Sequence, residues 1–161
     1  MLLTAGSCSQ KTKKVNSPEN LGYVGDILPN VELDDPSFKR CFEGHIFQYF
    51  NDSKGLLYEG EKPAINTAFE VYIHPILKGE NGLIRIRFVV NCRGETGRFR
   101  LMAMDNNYKE KSFPESVSEQ LMEISKSLKG WKTKYIEGGE IDYYQYLIFK
   151  IEDAQLIEIM P

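Results

Sequence analysis

An α+β fold, an antiparallel sheet with two helices on one face, is predicted by three observations. Two stretches, near 61–75 and 112–130, carry apolar residues at three- and four-residue spacings. Three others, 84–90, 99–103 and 143–151, alternate apolar with polar residues or run as dense β-formers. Their order is helix, strand, strand, helix, strand, and two amphipathic helices are what such a sheet needs to bury its apolar face. At 161 residues the chain suits one core, so no second independent domain is expected.

The chain opens with "MLLTAGSCSQKTKK", in which apolar Leu2 and Leu3 and small Ala5, Gly6 and Ser7 stand directly before Cys8. This reads as the ending of a bacterial lipoprotein signal, in which small residues fit the narrow cleavage site and the thiol of the next residue, here Cys8, takes the lipid. Seven residues precede Cys8, fewer than the ~15–30 of a secretory signal. Two outcomes follow. With a signal begun upstream, residues 1–8 are its remnant and the protein is lipid-anchored, facing the periplasm or cell envelope. With Met1 as the true start, it is cytoplasmic and Cys8 is a free thiol.

Residues 9–37, rich in Ser, Asn, Pro, Asp and Gly, read as tether and loop. Asp26, Asp34 and Asp35 lack the turn glycine and closing glutamate of a calcium loop, so no metal is expected there. Residues 38–60 read as an aromatic, hairpin-like extension, with Phe47, Tyr49 and Leu57 facing a core across an Asn-Asp-Ser-Lys-Gly turn. His45 and His74 have no companions at ligand spacing and read as core or surface histidines. With Cys8 set aside, Cys41 and Cys92 remain: one disulfide in an oxidising compartment, or two buried thiols in a reducing one.

The main domain is expected over 61–161. Pro63 suits a first helical turn, and Ile65, Ala68, Phe69 and Tyr72 share a face that ends near Pro75. Gly79 and Gly82 lead into the first strand, where Ile84, Ile86, Phe88 and Val90 alternate with Arg85, Arg87, Val89 and Asn91. After the turn "NCRGETG", Phe99, Leu101 and Ala103 alternate with Arg98, Arg100, Met102 and Met104. Arg85 and Arg87 thus stand near Arg98 and Arg100 across the hairpin. Such like charges require acidic neighbours or a partner, which makes the four arginines a candidate partner-binding sheet face.

Ser112 is the expected cap of the second helix, with Pro114 in its first turn and Val117, Leu121, Ile124 and Leu128 on one stripe. Gly130 ends it, and Trp131 is read as core. The last strand is Tyr143–Ile151, followed by an apolar tail, Leu156–Met160.

Several functions are excluded or disfavoured. A formal charge of −3 gives no general attraction to nucleic acid, and no apolar run approaches the ~20 residues that span a bilayer. Cys92 beside Arg93 has no histidine near it in sequence, and no acid–base or nucleophilic constellation is present. No enzyme, cofactor or small-molecule substrate is therefore expected.

Taken together, Gly82, Ile84, Ile86, Phe88, Val90 and Gly94, then Trp131 and Lys132, then Leu147, Phe149 and Ile151 resemble the C-terminal domain of TonB, the energy-coupling protein of bacterial outer-membrane transport. The resemblance covers about residues 61–151. No inner-membrane helix or proline-rich spacer accompanies it, so energy transduction is not assigned. What the resemblance implies is a binding mode, in which an extended segment of an envelope or outer-membrane protein pairs with the edge of the last strand. Here that strand carries Tyr143, Tyr144, Tyr146 and Ile148. The opposing expectation is that the tail Leu156–Met160 covers this edge. The function expected is a non-enzymatic, lipid-anchored adaptor that binds protein partners. The alternative is a structural or protective envelope lipoprotein whose partner site is 38–60, with the TonB-like fold only a scaffold.

Overall fold

A computed structural model describes residues 25–42, 46–48, 56–75, 78–136 and 138–161. Cys8, His45 and Tyr49 lie outside them. Alternating side chains make Gly82–Val90 (β1) and Thr96–Met104 (β2) an antiparallel hairpin, with Ile84 opposite Ala103 and Arg87 opposite Arg100. The first helix is Glu61–Ala68 (α1), tightened into a 3-10 turn over Phe69–Val71. It stops short of Pro75, because Tyr72 is already extended at φ −63°, ψ 119°. The second helix is Glu115–Ser127 (α2). Pro114, not Ser112, is its cap, and the Pro114 carbonyl accepts from the amides of Val117 and Ser118.

Three further strands follow α2 before the C-terminal one. Lys134–Ile136 (β3) and Gly139–Ile141 (β4) form a small separate hairpin, and Tyr143–Glu152 (β5) pairs antiparallel with β1. Gln155–Met160 (β6) then folds back on β5, so the main sheet runs β2-β1-β5-β6. The fold is α+β: two helices, a four-stranded antiparallel sheet and a two-stranded one.

The main core lies between the sheet and the helices. Ile84, Ile86, Phe88 and Val90 of β1 and Leu147, Phe149 and Ile151 of β5 meet Ile65 and Phe69 of the first helical segment and Val117 and Leu121 of α2. Each such large side chain contributes about 1.5–3 kcal/mol by leaving water. Phe88 stacks on Phe99 at 4.8 Å, and Trp131 meets the rings of Phe88 and Tyr58 edge-on at 5.1 and 4.9 Å. Gly82 permits the close approach of the strand ends, since a Cβ there would stand 2.2 Å from the Met104 carbonyl oxygen.

A third layer lies on the opposite face. Residues 25–42 and 46–48, expected as tether, loop and hairpin, instead lie on the sheet as a strap. Ile27, Ile46 and Phe38 pack with Val89 and Tyr144 in a second, smaller core. The Phe38 ring occupies the space above Gly97, where a Cβ would come within 2.2 Å of it. Phe47 makes a parallel bridge to Tyr143, and Leu57 packs at the rim of the main core.

Candidate functional site

The alternation that buries Ile84, Ile86 and Phe88 toward the helices places Arg85 and Arg87 on the other face. There they lie between Met102 and Arg100 of β2 and Ile148 and Tyr146 of β5. At a bulge between Arg87 and Val89, Phe88 stands against both Arg98 and Phe99, and Arg98 takes the left-handed region at φ 54°. This face is occupied by the strap. Arg87 donates to the Gly25 carbonyl at 2.7 Å and to Gln48 Oε1 at 3.1 Å. Arg98 donates to the Ile27 carbonyl at 3.3 Å. Arg100 donates to the Leu28 carbonyl at 2.8 Å and grips the Asp34 carboxylate through both Nη atoms, at 2.6 and 3.2 Å. Three of the four arginines thus hold a stretch of the chain's own backbone.

The tyrosines complete the hold. Tyr144 accepts from the Ile27 amide at 2.8 Å and donates to Asp26 Oδ1 at 3.1 Å. The Arg87 guanidinium lies 3.9 Å from the Tyr144 ring centre and Arg85 5.1 Å from that of Tyr146, which compensates part of the cost of placing cations side by side. Burial, aided by the charge of Arg85, lowers the Arg87 pKa from its usual value. The bond from Arg100 holds the Asp34 carboxyl below the ordinary carboxylate range. Burial raises the Tyr144 phenol above its ordinary value.

At its far end the strap is covalently fixed. Cys41 and Cys92 form a disulfide, with Cα atoms 5.9 Å apart. Asp142, fully buried, accepts from the amides of Cys41, Phe42 and Cys92 at 3.0–3.2 Å and pairs with Arg40 at 3.4 Å. Asn91 adds a bond to the Lys39 carbonyl at 2.8 Å and receives the turn amides of Arg93 and Glu95. No sequence motif marks Asp142 or Asn91 for this duty. Their role is to satisfy backbone donors, and that leaves no spacing to read.

Between the strap and the sheet a cavity of about 350 Å³ remains, lined by Gly25–Asn30, Arg85, Arg87, Arg100, Leu101 and Met102. Arg85 makes no ion pair or hydrogen bond among the described residues, and its Nε is buried without a partner.

β5 is not an edge strand. β1 pairs along one side of it; on the other, β6 covers Ile148–Glu152 and Phe47 bridges Tyr143, its carbonyl accepting from the Tyr144 amide. Tyr143 and Tyr144 are fully buried, one on each face of the sheet. Of the docking edge expected at Tyr143, Tyr144, Tyr146 and Ile148, the tail that follows Ala154 pairs with Ile148, and Phe47 takes up Tyr143 and Tyr144. The 38–60 alternative also changes, since Phe38–Phe42 and Ile46–Gln48 are part of the sheet's covering. The lipid site Cys8 lies outside the described residues. Among those residues no group of three or more His, Cys, Asp or Glu is placed to hold a metal, and no helix is long and apolar enough to cross a membrane.

Comparison with protein-family models, curated proteins and solved structures finds no match to this chain. The likeness to the TonB C-terminal domain therefore bears only on what is proposed below.

Proposed function

We propose that this chain is a non-enzymatic adaptor of the cell envelope, TonB C-terminal-like in its helix–sheet module, which holds an extended segment of another envelope protein on its arginine-bearing sheet face. The observation that carries this reading is that the face already holds a polypeptide segment by its main chain. Arg87, Arg98 and Arg100 take up main-chain carbonyls at Gly25, Ile27 and Leu28, an interaction that depends on backbone rather than on side-chain identity. Rigid guanidinium forks suit this work, because they offer several donors in a fixed plane. The Cys41–Cys92 disulfide supports an oxidising compartment, where such bonds persist. Lipidation at Cys8 would bring the module to a membrane surface.

The test is photo-crosslinking in the native cells, with a photoreactive side chain at Met102 in the cleft and, as control, at the exposed Tyr135 of the β3–β4 hairpin. Adducts to an envelope protein from Met102 and not from Tyr135 are expected, together with a lipid on Cys8 in mass spectra of the mature protein. Equal labelling from both positions, or adducts confined to cytosolic proteins, would sink the proposal.

A further inference from the structure

Resting on that reading and making it specific, we propose that the cleft beside Arg85 is a subsite for one acidic side chain, glutamate or aspartate, carried by an extended peptide that crosses the sheet face alongside the strap.

The strap itself shows how this face receives an acid. Asp34 reaches Arg100 and is gripped by both of its terminal nitrogens, the fork-to-carboxylate geometry that makes arginine pairs strong and directional. One step along the sheet the arrangement is repeated without its acid. Arg85 stands opposite Met102 as Arg87 stands opposite Arg100, and its guanidinium is set over the Tyr146 ring with a buried, unsatisfied Nε. The ring contact holds the cation in place and leaves its in-plane donors for a ligand. A buried donor without an acceptor is costly, and a carboxylate arriving there would recover that cost.

The charge balance points the same way. Arg85, Arg87 and Arg100 line the cleft, against Asp26 in its wall and Asp34 on Arg100, so among the described residues that line it one cation is left without its counter-charge. Beside Asn30, the remaining walls include apolar Leu28, Pro29, Leu101 and Met102, the last two 36% exposed each. A ligand with one acid flanked by apolar side chains satisfies both surfaces. The backbone favours a peptide over a free organic acid. β2 is the outermost strand of the sheet, and the Ala103 carbonyl already accepts the Lys111 amide across its outer side. Leu101, two residues away, shares that outward direction and offers an incoming chain one further pairing point. A volume near 350 Å³ lies at the small end of ligand pockets, which begin at about 300 Å³. It suits a residue or two of a peptide.

The experiment is a titration of the 15N-labelled full chain with acetyl-Leu-Glu-Leu-amide, with acetyl-Leu-Gln-Leu-amide as the uncharged counterpart. The expected result is saturable shifting of the Arg85 Nε–H and of the Leu101 and Met102 amides, with the glutamate peptide bound about tenfold or more tightly than the glutamine peptide. Arg85→Gln should abolish that difference and Arg85→Lys should keep part of it, while the Ile27 and Trp131 signals of both variants stay in place. Equal binding of the two peptides, no saturable shift, or a difference that survives Arg85→Gln would overturn the subsite. The same variants in the Met102 crosslinking separate the two proposals. Adducts unchanged by Arg85→Gln would remove the acidic subsite and leave the peptide-holding face. A selective peptide titration without cellular adducts would remove the adaptor and leave the acidic subsite.

Discussion

Asp142 holds the backbone of three residues at the strap's fixed end. Its two oxygens accept three amides, two on the strap and one at the start of the β1–β2 turn, and they do so on both sides of the disulfide. Asp142→Ala would leave these donors without an acceptor and remove the ion pair to Arg40, and we expect a loss of about 3–5 kcal/mol in urea denaturation. Asp142→Asn keeps one oxygen and should cost clearly less. Equal losses for the two would show that only the space filled matters. Sequence reading passes over Asp142 for a physical reason: a carboxylate that caps distant amides needs no neighbour in sequence. The four arginines, by contrast, were legible as one face because strand alternation fixes where they point. What covers them was not legible, since the strap is held through its carbonyls, which every residue possesses.

Among the elements, the helices and the three main strands follow from periodicity, and the differences have local causes. Tyr72 turns extended before Pro75, Pro114 displaces Ser112 as cap, and β6 is a short run whose alternation the β5–β6 bulge between Lys150 and Ile151 interrupts. The strap is the element whose attachment is open to measurement. Its disulfide closes a loop with a sequence separation of 51, and the loop entropy removed from the unfolded chain is worth about 4 kcal/mol. Replacing Cys41 and Cys92 by Ser should lower stability by up to that amount. A change well under about 1 kcal/mol would mean that the unfolded chain is not constrained by the link.

The strap should also respond to pH from both sides. Asp34 binds its proton less tightly in the fold than at its ordinary value of 3.8, so its contribution is present above that value and is lost as pH falls below it. Tyr144 binds its proton more tightly than at its ordinary 10.0, so its contribution is present below that value and is lost as pH rises past it. Near-UV circular dichroism of the tyrosines should therefore change in acid and again in strong alkali, with Asp34→Asn removing the acid transition alone. An acid transition that persists in Asp34→Asn would assign it to another carboxylate.

For the whole molecule, the ordering β2-β1-β5-β6 decides which surfaces face other proteins. β6 closes the side of β5 that the TonB resemblance would have left open, and its Ile159 is buried beside Phe149. Deleting residues 155–161 should uncover the row Ile148–Glu152, and size-exclusion chromatography with light scattering should then show self-association through the exposed edge. A truncated chain that stays monomeric would mean that β6 is dispensable as a cover.

The position of the Cys41–Cys92 link also sets how the protein bears mechanical load. A pull on the N-terminal side of the strap strips its contacts one at a time, from Gly25 toward Arg40, hydrogen bonds and ion pairs together with the packing of Ile27 and Phe38. That paying-out releases about 16 residues at about 3.4 Å each, roughly 55 Å of slack. It then stops at Cys41, where the load passes through a covalent bond to Cys92, just beyond the end of β1, the strand paired along both of its sides. The sheet would thus stay folded under tension that has already laid its arginines bare, and a tethered copy would open its binding face by being stretched.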